Sequence, residues 1–118
     1  MYSILIVDDS KLVTDIVKMR LEMYGYRVYT AATGEEGLAR IAAEQPDLVV
    51  LDVQMPGIDG YEVCRRIRES PVLENLPVIM LTSMDDRRAG FEAGVDDYLN
   101  KDLDLLDLPN RVKLLLGS

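Results

Sequence analysis

The sequence predicts a doubly wound α/β domain, a five-stranded parallel sheet with helices on both faces. Two observations carry that expectation. Strand-like apolar runs and amphipathic helical segments alternate five times along 118 residues, and that alternation builds a parallel sheet through right-handed crossovers. The runs LVVL at 48–51 and PVIML at 77–81 are continuously apolar instead of alternating, as a strand covered on both faces requires.

The first strand is expected over 2–7 (YSILIV), from its β-branched and aromatic content. It ends at Asp8-Asp9-Ser10, where Ser10 can cap a helix beginning at Lys11. Leu12, Ile16, Met19 and Met23 stand four, three and four apart and are expected to form that helix's core face. Gly25 is its expected stop, and residues 26–31 are the second strand. Thr33 and Glu36 have the capping-box spacing ahead of a helix that groups Leu38, Ile41 and Ala42. Gln45-Pro46 closes it, because the residue before proline avoids the right-handed helical region.

The third strand, 47–51, stops at Asp52, and the turn-rich segment through Pro56-Gly57 and Asp59-Gly60 leads into a helix over 61–68 with Val63 and Ile67 four apart. Ser70-Pro71 breaks that helix. The fourth strand, 77–81, ends at Thr82-Ser83, and a short helix over 87–93 stops at Gly94. A brief fifth strand around Tyr98-Leu99 ends at Lys101, and a last helix carries Val112, Leu115 and Leu116.

Composition fits one domain with one core, spanning 1–118. With 21 acidic and 13 basic residues and no histidine, the formal charge is -8. That balance argues against direct contact with nucleic acid or an anionic membrane, both of which need clustered Lys and Arg. It suits a divalent cation or a basic protein patch. The single cysteine, Cys64, is expected to be a half-buried structural thiol. Without a disulfide framework or a signal peptide the expected location is the cytoplasm. No apolar run approaches the ~18 residues of a membrane span.

Ligands of open α/β sheets sit beyond the strand carboxyl ends. At that edge the sequence places Asp8 and Asp9, Asp52, Thr82 with Ser83, and Lys101. Taken singly, each has an ordinary role: Asp8-Asp9 starts a turn, Asp52 caps a loop, Thr82 ends a strand, Lys101 is a solvated charge. Their joint placement is what those roles leave unexplained. Three carboxylates would raise one another's pKa unless Lys101 and a divalent cation compensate. All-oxygen ligation favours Mg²⁺ or Mn²⁺ over zinc. Mg²⁺ keeps waters and completes its shell with phosphate oxygens, so a carboxylate beside it can become an acyl phosphate.

With these residues in place, the chain resembles the receiver domain of two-component response regulators over nearly its whole length. The matching motifs are ILIVDDS at 4–10, LVVLDVQMPGIDGYEV at 48–63, PVIMLTS at 77–83 and AGVDDYLNK at 93–101. The resemblance implies a flavodoxin-like strand order 2-1-3-4-5. It implies Asp52 as phosphoacceptor, served by a sensor histidine kinase or a histidine phosphotransfer protein. Asp8 and Asp9 would bind Mg²⁺, Asp9 directly and Asp8 through water, with Asp52 and the backbone carbonyl of Gln54 as further ligands. Thr82 and Lys101 would hold the phosphoryl oxygens, small Ser83 would leave the acceptor open, and Tyr98 would turn inward as Thr82 moves. A downstream effector protein or domain would read the change. No enzymatic activity is implied beyond Mg²⁺-dependent self-phosphorylation and self-dephosphorylation.

Two departures stand out. The family usually follows its lysine with proline on a cis bond, whereas Asp102 follows Lys101 here. The Thr82–Lys101 interval is also about three residues short, nearly one helical turn, so the fourth helix is expected to be shortened. Pro109 is tolerated if the last helix starts near Leu108 under an Asp107 cap. The alternative function is a degenerate receiver, a protein-binding module that works without phosphorylation. An aspartyl phosphatase ranks last, because Asp8-Asp9 are adjacent instead of spaced Asp-x-Asp. Nucleotide binding fails for want of a glycine-rich phosphate loop.

Overall fold

In the computed structural model, which describes residues 1–117, the order is β1 (Ser3–Val7), α1 (Lys11–Met23), β2 (Arg27–Ala31), α2 (Gly34–Glu44), β3 (Leu48–Leu51), α3 (Gly60–Glu69), β4 (Val78–Thr82), α4 (Arg87–Ala93), β5 (Asp97–Asn100) and α5 (Leu108–Leu116). All strand pairings are parallel, and the sheet order is β2-β1-β3-β4-β5. β1 and β3 are central, so their carboxyl ends, at Asp8 and Asp52, lie side by side through the Val7–Leu51 pairing. At the far side Thr82 pairs with Asn100, which delivers Lys101 to the same edge.

Each sheet face has its own core. Ile4, Ile6, Leu48, Val50, Ile79, Leu81 and Leu99 face α1 and α5, meeting Val17, Leu21, Leu108 and Val112. Leu5, Val7, Val49, Leu51, Val78 and Met80 face α2, α3 and α4. β3 is buried at all four positions, as its unbroken apolar run requires.

The caps follow local chemistry. Ser10 accepts from Val13 N–H, Thr33 from Glu36 N–H, and Asp59 from Glu62 N–H. The seven-residue α4 is capped by Asp86, which accepts from Ala89 N–H, and stops at Gly94 with φ of 108°. At seven residues α4 is the shortest of the five helices.

Several expectations need correction. Leu12, Ile16, Met19 and Met23 do not face the core; Leu12 and Met23 are 71% and 79% exposed. The buried residues of α1 are Thr14, Val17 and Leu21. Ala42 also points outward, and α2 packs instead through Gly34, Gly37 and Ile41. At Gly37 a Cβ would press on Val7, so its lack of a side chain lets α2 approach the sheet. Gln45 leaves the right-handed helix by entering the left-handed region, with φ 49°. Asp107 forms no side-chain cap; its carboxylate takes Arg111 Nε and Asn110 Nδ2 instead. Cys64 is fully buried, not half-buried. The described residues contain no cis peptide bond, so Lys101–Asp102 is trans.

Candidate functional site

Asp8 and Asp52 leave the two central strands where the sheet still covers them, and both are buried. Asp9, one residue further, is exposed. Carboxylate oxygens of Asp8, Asp9 and Asp52 lie within 4.8 Å of one another. Lys101 reaches between the two buried acids, with Nζ 2.8 Å from Asp8 Oδ2 and 2.9 Å from Asp52 Oδ2.

The remaining oxygens are held by nearby backbone. Ser10 N–H donates to Asp8 Oδ1 at 2.9 Å, and Val53 N–H donates to Asp52 Oδ1 at 2.7 Å. Thr14 donates its hydroxyl to the Asp8 carbonyl from the first turn of α1. Burial pushes the Asp8 carboxyl above the usual aspartate value of 3.8; hydrogen bonds from Lys101 and Ser10 oppose the rise, and the Asp52 charge adds to it. Burial also works against the charge on Lys101, but its hydrogen bonds to Asp8 and Asp52 prevail, and its pKa lies above the usual 10.5.

Thr82 is buried, and its Oγ1 accepts from Met84 N–H at 3.2 Å. Tyr98 is turned inward, 2% exposed. Its hydroxyl donates to Met84 O at 2.6 Å and accepts from Asp86 N–H at 3.1 Å. A Cβ on Gly90 would come within 2.7 Å of Tyr98 Cδ2, so this glycine makes room for the ring on α4. Arg87 covers the outer side of the ring and donates to Tyr98 O. Ser83 is exposed.

Gln54 lies exposed in the β3–α3 loop, and among the described residues no backbone N–H donates to its carbonyl. Three carboxylates facing one ammonium leave net negative charge. A hard divalent cation with oxygen ligands, such as Mg²⁺, fits that donor set.

The structure therefore brings Asp8, Asp9, Asp52 and Lys101 together, with Thr82 and Tyr98 linked to each other through Met84. Sequence reasoning missed some supporting residues. Gly60 packs so closely on the Asp52 carbonyl that any Cβ would overlap it; the Asp59-Gly60 pair was visible, but only as a turn. Glu35 reaches from α2 to accept from Ile58 N–H at 3.3 Å and so braces the β3–α3 loop. Nothing local marked Glu35, because the contact spans the chain from α2 to the loop after β3.

The chain belongs to the response regulator receiver domain family, whose model matches residues 4–113. It is 42% identical over 116 residues to the "DNA-binding dual master transcriptional regulator RpaA" of Synechocystis, covering 96% of this chain and 48% of that protein. It thus spans about half the length of the curated relatives it matches. Among solved structures, a putative response regulator from Chloroflexus aurantiacus superposes with a TM-score of 0.93 at 43% identity, covering 99% of this chain and 98% of the other. The response regulator TrrA of Thermotoga maritima, solved with Mg²⁺ and beryllofluoride, gives a TM-score of 0.87 at 36% identity, covering 98% and 99%.

Proposed function

We propose that this domain accepts a phosphoryl group on Asp52 from a phosphohistidine of a sensor kinase or phosphotransfer protein, in a Mg²⁺-dependent reaction in the cytoplasm. The observation that carries the reading is the Lys101 ammonium between Asp8 and Asp52, with Asp9 completing a three-carboxylate cluster. An Asp52 carboxylate oxygen forms the new P–O bond as the P–N bond to the donor histidine breaks, and the imidazole leaves with that electron pair. Asp8, Asp9, Asp52 and the Gln54 carbonyl would hold Mg²⁺. When bound, the cation would neutralise charge on the transferring phosphoryl oxygens.

Output follows from the contacts around Thr82. A phosphoryl group adds roughly -1.5 to -2 charge and three strong acceptors beside Lys101 and Thr82. A Thr82 hydroxyl drawn to such an acceptor would move the loop bound to it at Met84 N–H. Met84 O in turn holds the Tyr98 hydroxyl, so the pull reaches β5 and α4. An effector protein or domain would read that face. The three-carboxylate cluster with Lys101 favours this reading over a phosphorylation-independent binding module.

The test is amide NMR with Mg²⁺ and either acetyl phosphate or beryllofluoride, on wild type and Asp52→Asn. Mg²⁺-dependent shifts at Thr82, Tyr98 and Lys101 that disappear in Asp52→Asn are expected. Identical spectra from the two folded proteins would overturn the reading.

A further inference from the structure

Between β5 and α5 the chain turns at 101–103, outside the strand pairing that serves β5. Every N–H from Asn100 to Asp104 nevertheless has a partner. Lys101 N–H donates to Thr82 O at 3.0 Å. Asp102 N–H and Leu103 N–H both donate to the Asn100 side-chain oxygen, at 2.8 and 3.1 Å. Asp104 N–H donates to Asn100 O at 2.8 Å, and the Asp104 carboxylate takes Asn100 N–H at 3.0 Å. Asn100 and Asp104 thus close a turn around Lys101, Asp102 and Leu103 from both ends.

We propose that Asn100 is a positioning residue for Lys101, its side-chain oxygen fixing the turn that carries the lysine. Asn favours such turns because its carbonyl mimics a backbone acceptor for the N–H groups two and three residues on. The consequence reaches the site along a short path. Asn100 pairs with Thr82 in the sheet, Lys101 N–H is bonded to Thr82 O, and the Lys101 ammonium sits on Asp8 and Asp52. A loosened turn gives the ammonium more positions, fewer of which meet Asp52 or a phosphoryl group on it. Asp102 itself is exposed and contributes its N–H, not its carboxylate, to the turn.

The second half of this inference rests on the phosphoacceptor reading above; the first half does not. Two measurements on the whole chain separate them. In resting protein, amide hydrogen exchange should show Asp102 and Leu103 protected in wild type and in Asn100→Asp, which keeps the acceptor. Asn100→Ala should lose about tenfold of that protection, with the urea midpoint nearly unchanged. In protein phosphorylated by acetyl phosphate, Asn100→Ala should change the phosphoryl half-life by about fivefold, the scale of one net hydrogen bond.

Asn100→Asp should restore the half-life. In an Asp102→Pro background, which removes one of the two N–H groups and stiffens the turn, Asn100→Ala should have less than half the effect on a logarithmic scale. Unprotected Asp102 and Leu103 amides in wild type would overturn the turn itself. An unchanged half-life in Asn100→Ala, no rescue by aspartate, or an equal effect in both backgrounds would overturn the positioning role. A wild type that takes no phosphoryl group would instead strike the phosphoacceptor reading, while the exchange data still judged the turn.

Discussion

Lys101 is one cation answering two buried carboxylates, and burial alone already pushes the Asp8 carboxyl upward. Sites arranged this way for chemistry give up stability. Asp8→Asn keeps an oxygen for Ser10 N–H and leaves Lys101 paired with Asp52, so the variant should be more stable than wild type by about 1 kcal/mol. Urea denaturation at pH 7 in EDTA measures this, and a less stable variant would mean that the Asp8 charge serves the fold. Cys64 gives the pH-dependent counterpart. Burial pushes its thiol up from 9.0 to about 11, so it should resist thiol reagents at pH 8 until urea unfolds the chain. Because the folded pKa is the higher one, its stabilising contribution is complete below the unfolded value of 9.0 and is lost as pH rises through about 11. A folded-state thiol reacting at the unfolded rate at pH 8 would contradict the burial that causes the shift.

Helix α1 shows where sequence periodicity stops deciding. Leu12, Ile16, Met19 and Met23 form an acceptable apolar face, but so do Val13, Val17 and Leu21, at steps of four on the adjoining side. The sheet receives the second set, with Thr14 among it because its hydroxyl has the Asp8 carbonyl to bond. A polar residue in the core face is paired there by a contact from outside the helix, which spacing cannot show. The two faces predict opposite mutational costs. Met19→Ala and Met23→Ala should each change stability by less than about 0.5 kcal/mol, whereas Leu21→Ala should cost about 2–5 kcal/mol. Urea melts of the three variants decide it, and a Met23→Ala cost comparable to that of Leu21→Ala would restore the discarded face. Capped, punctuated elements were the legible ones: α4 with its Gly94 stop, and α3 closing at Ser70, each follow from residues next to the element's own ends.

At the scale of the molecule, the site was legible because a parallel sheet turns five separate sequence positions into one edge. Val7 pairs with Leu51, Leu51 with Met80 and Thr82 with Asn100, so register brings the backbones of Asp8, Asp52 and Lys101 to one edge. What register cannot give is bracing between helices and loops, such as Glu35 on Ile58 N–H or Arg68 tying Gly94, Glu74, Leu76 and Asp96. The whole chain carries a formal charge of -8, and its acids are densest in effect where three share one cluster. Two kinds of cation response are therefore possible, general screening of the net charge and occupancy of the cluster. They differ in form. Screening follows ionic strength and is the same for Na⁺ and Mg²⁺ at matched strength. Occupancy saturates and adds RT ln(1 + [Mg²⁺]/Kd) to stability, about 2.7 kcal/mol at a hundred times Kd. For a domain of this size that should raise Tm by roughly 10 °C. Thermal melts in MgCl₂ against NaCl at equal ionic strength should show the extra, saturating rise in wild type. Asp9→Asn, which removes the exposed member of the cluster and leaves both Lys101 pairs intact, should lose most of that rise. Superimposable Mg²⁺ and Na⁺ curves would mean that the cluster binds no Mg²⁺ and would remove the cation from the proposed reaction.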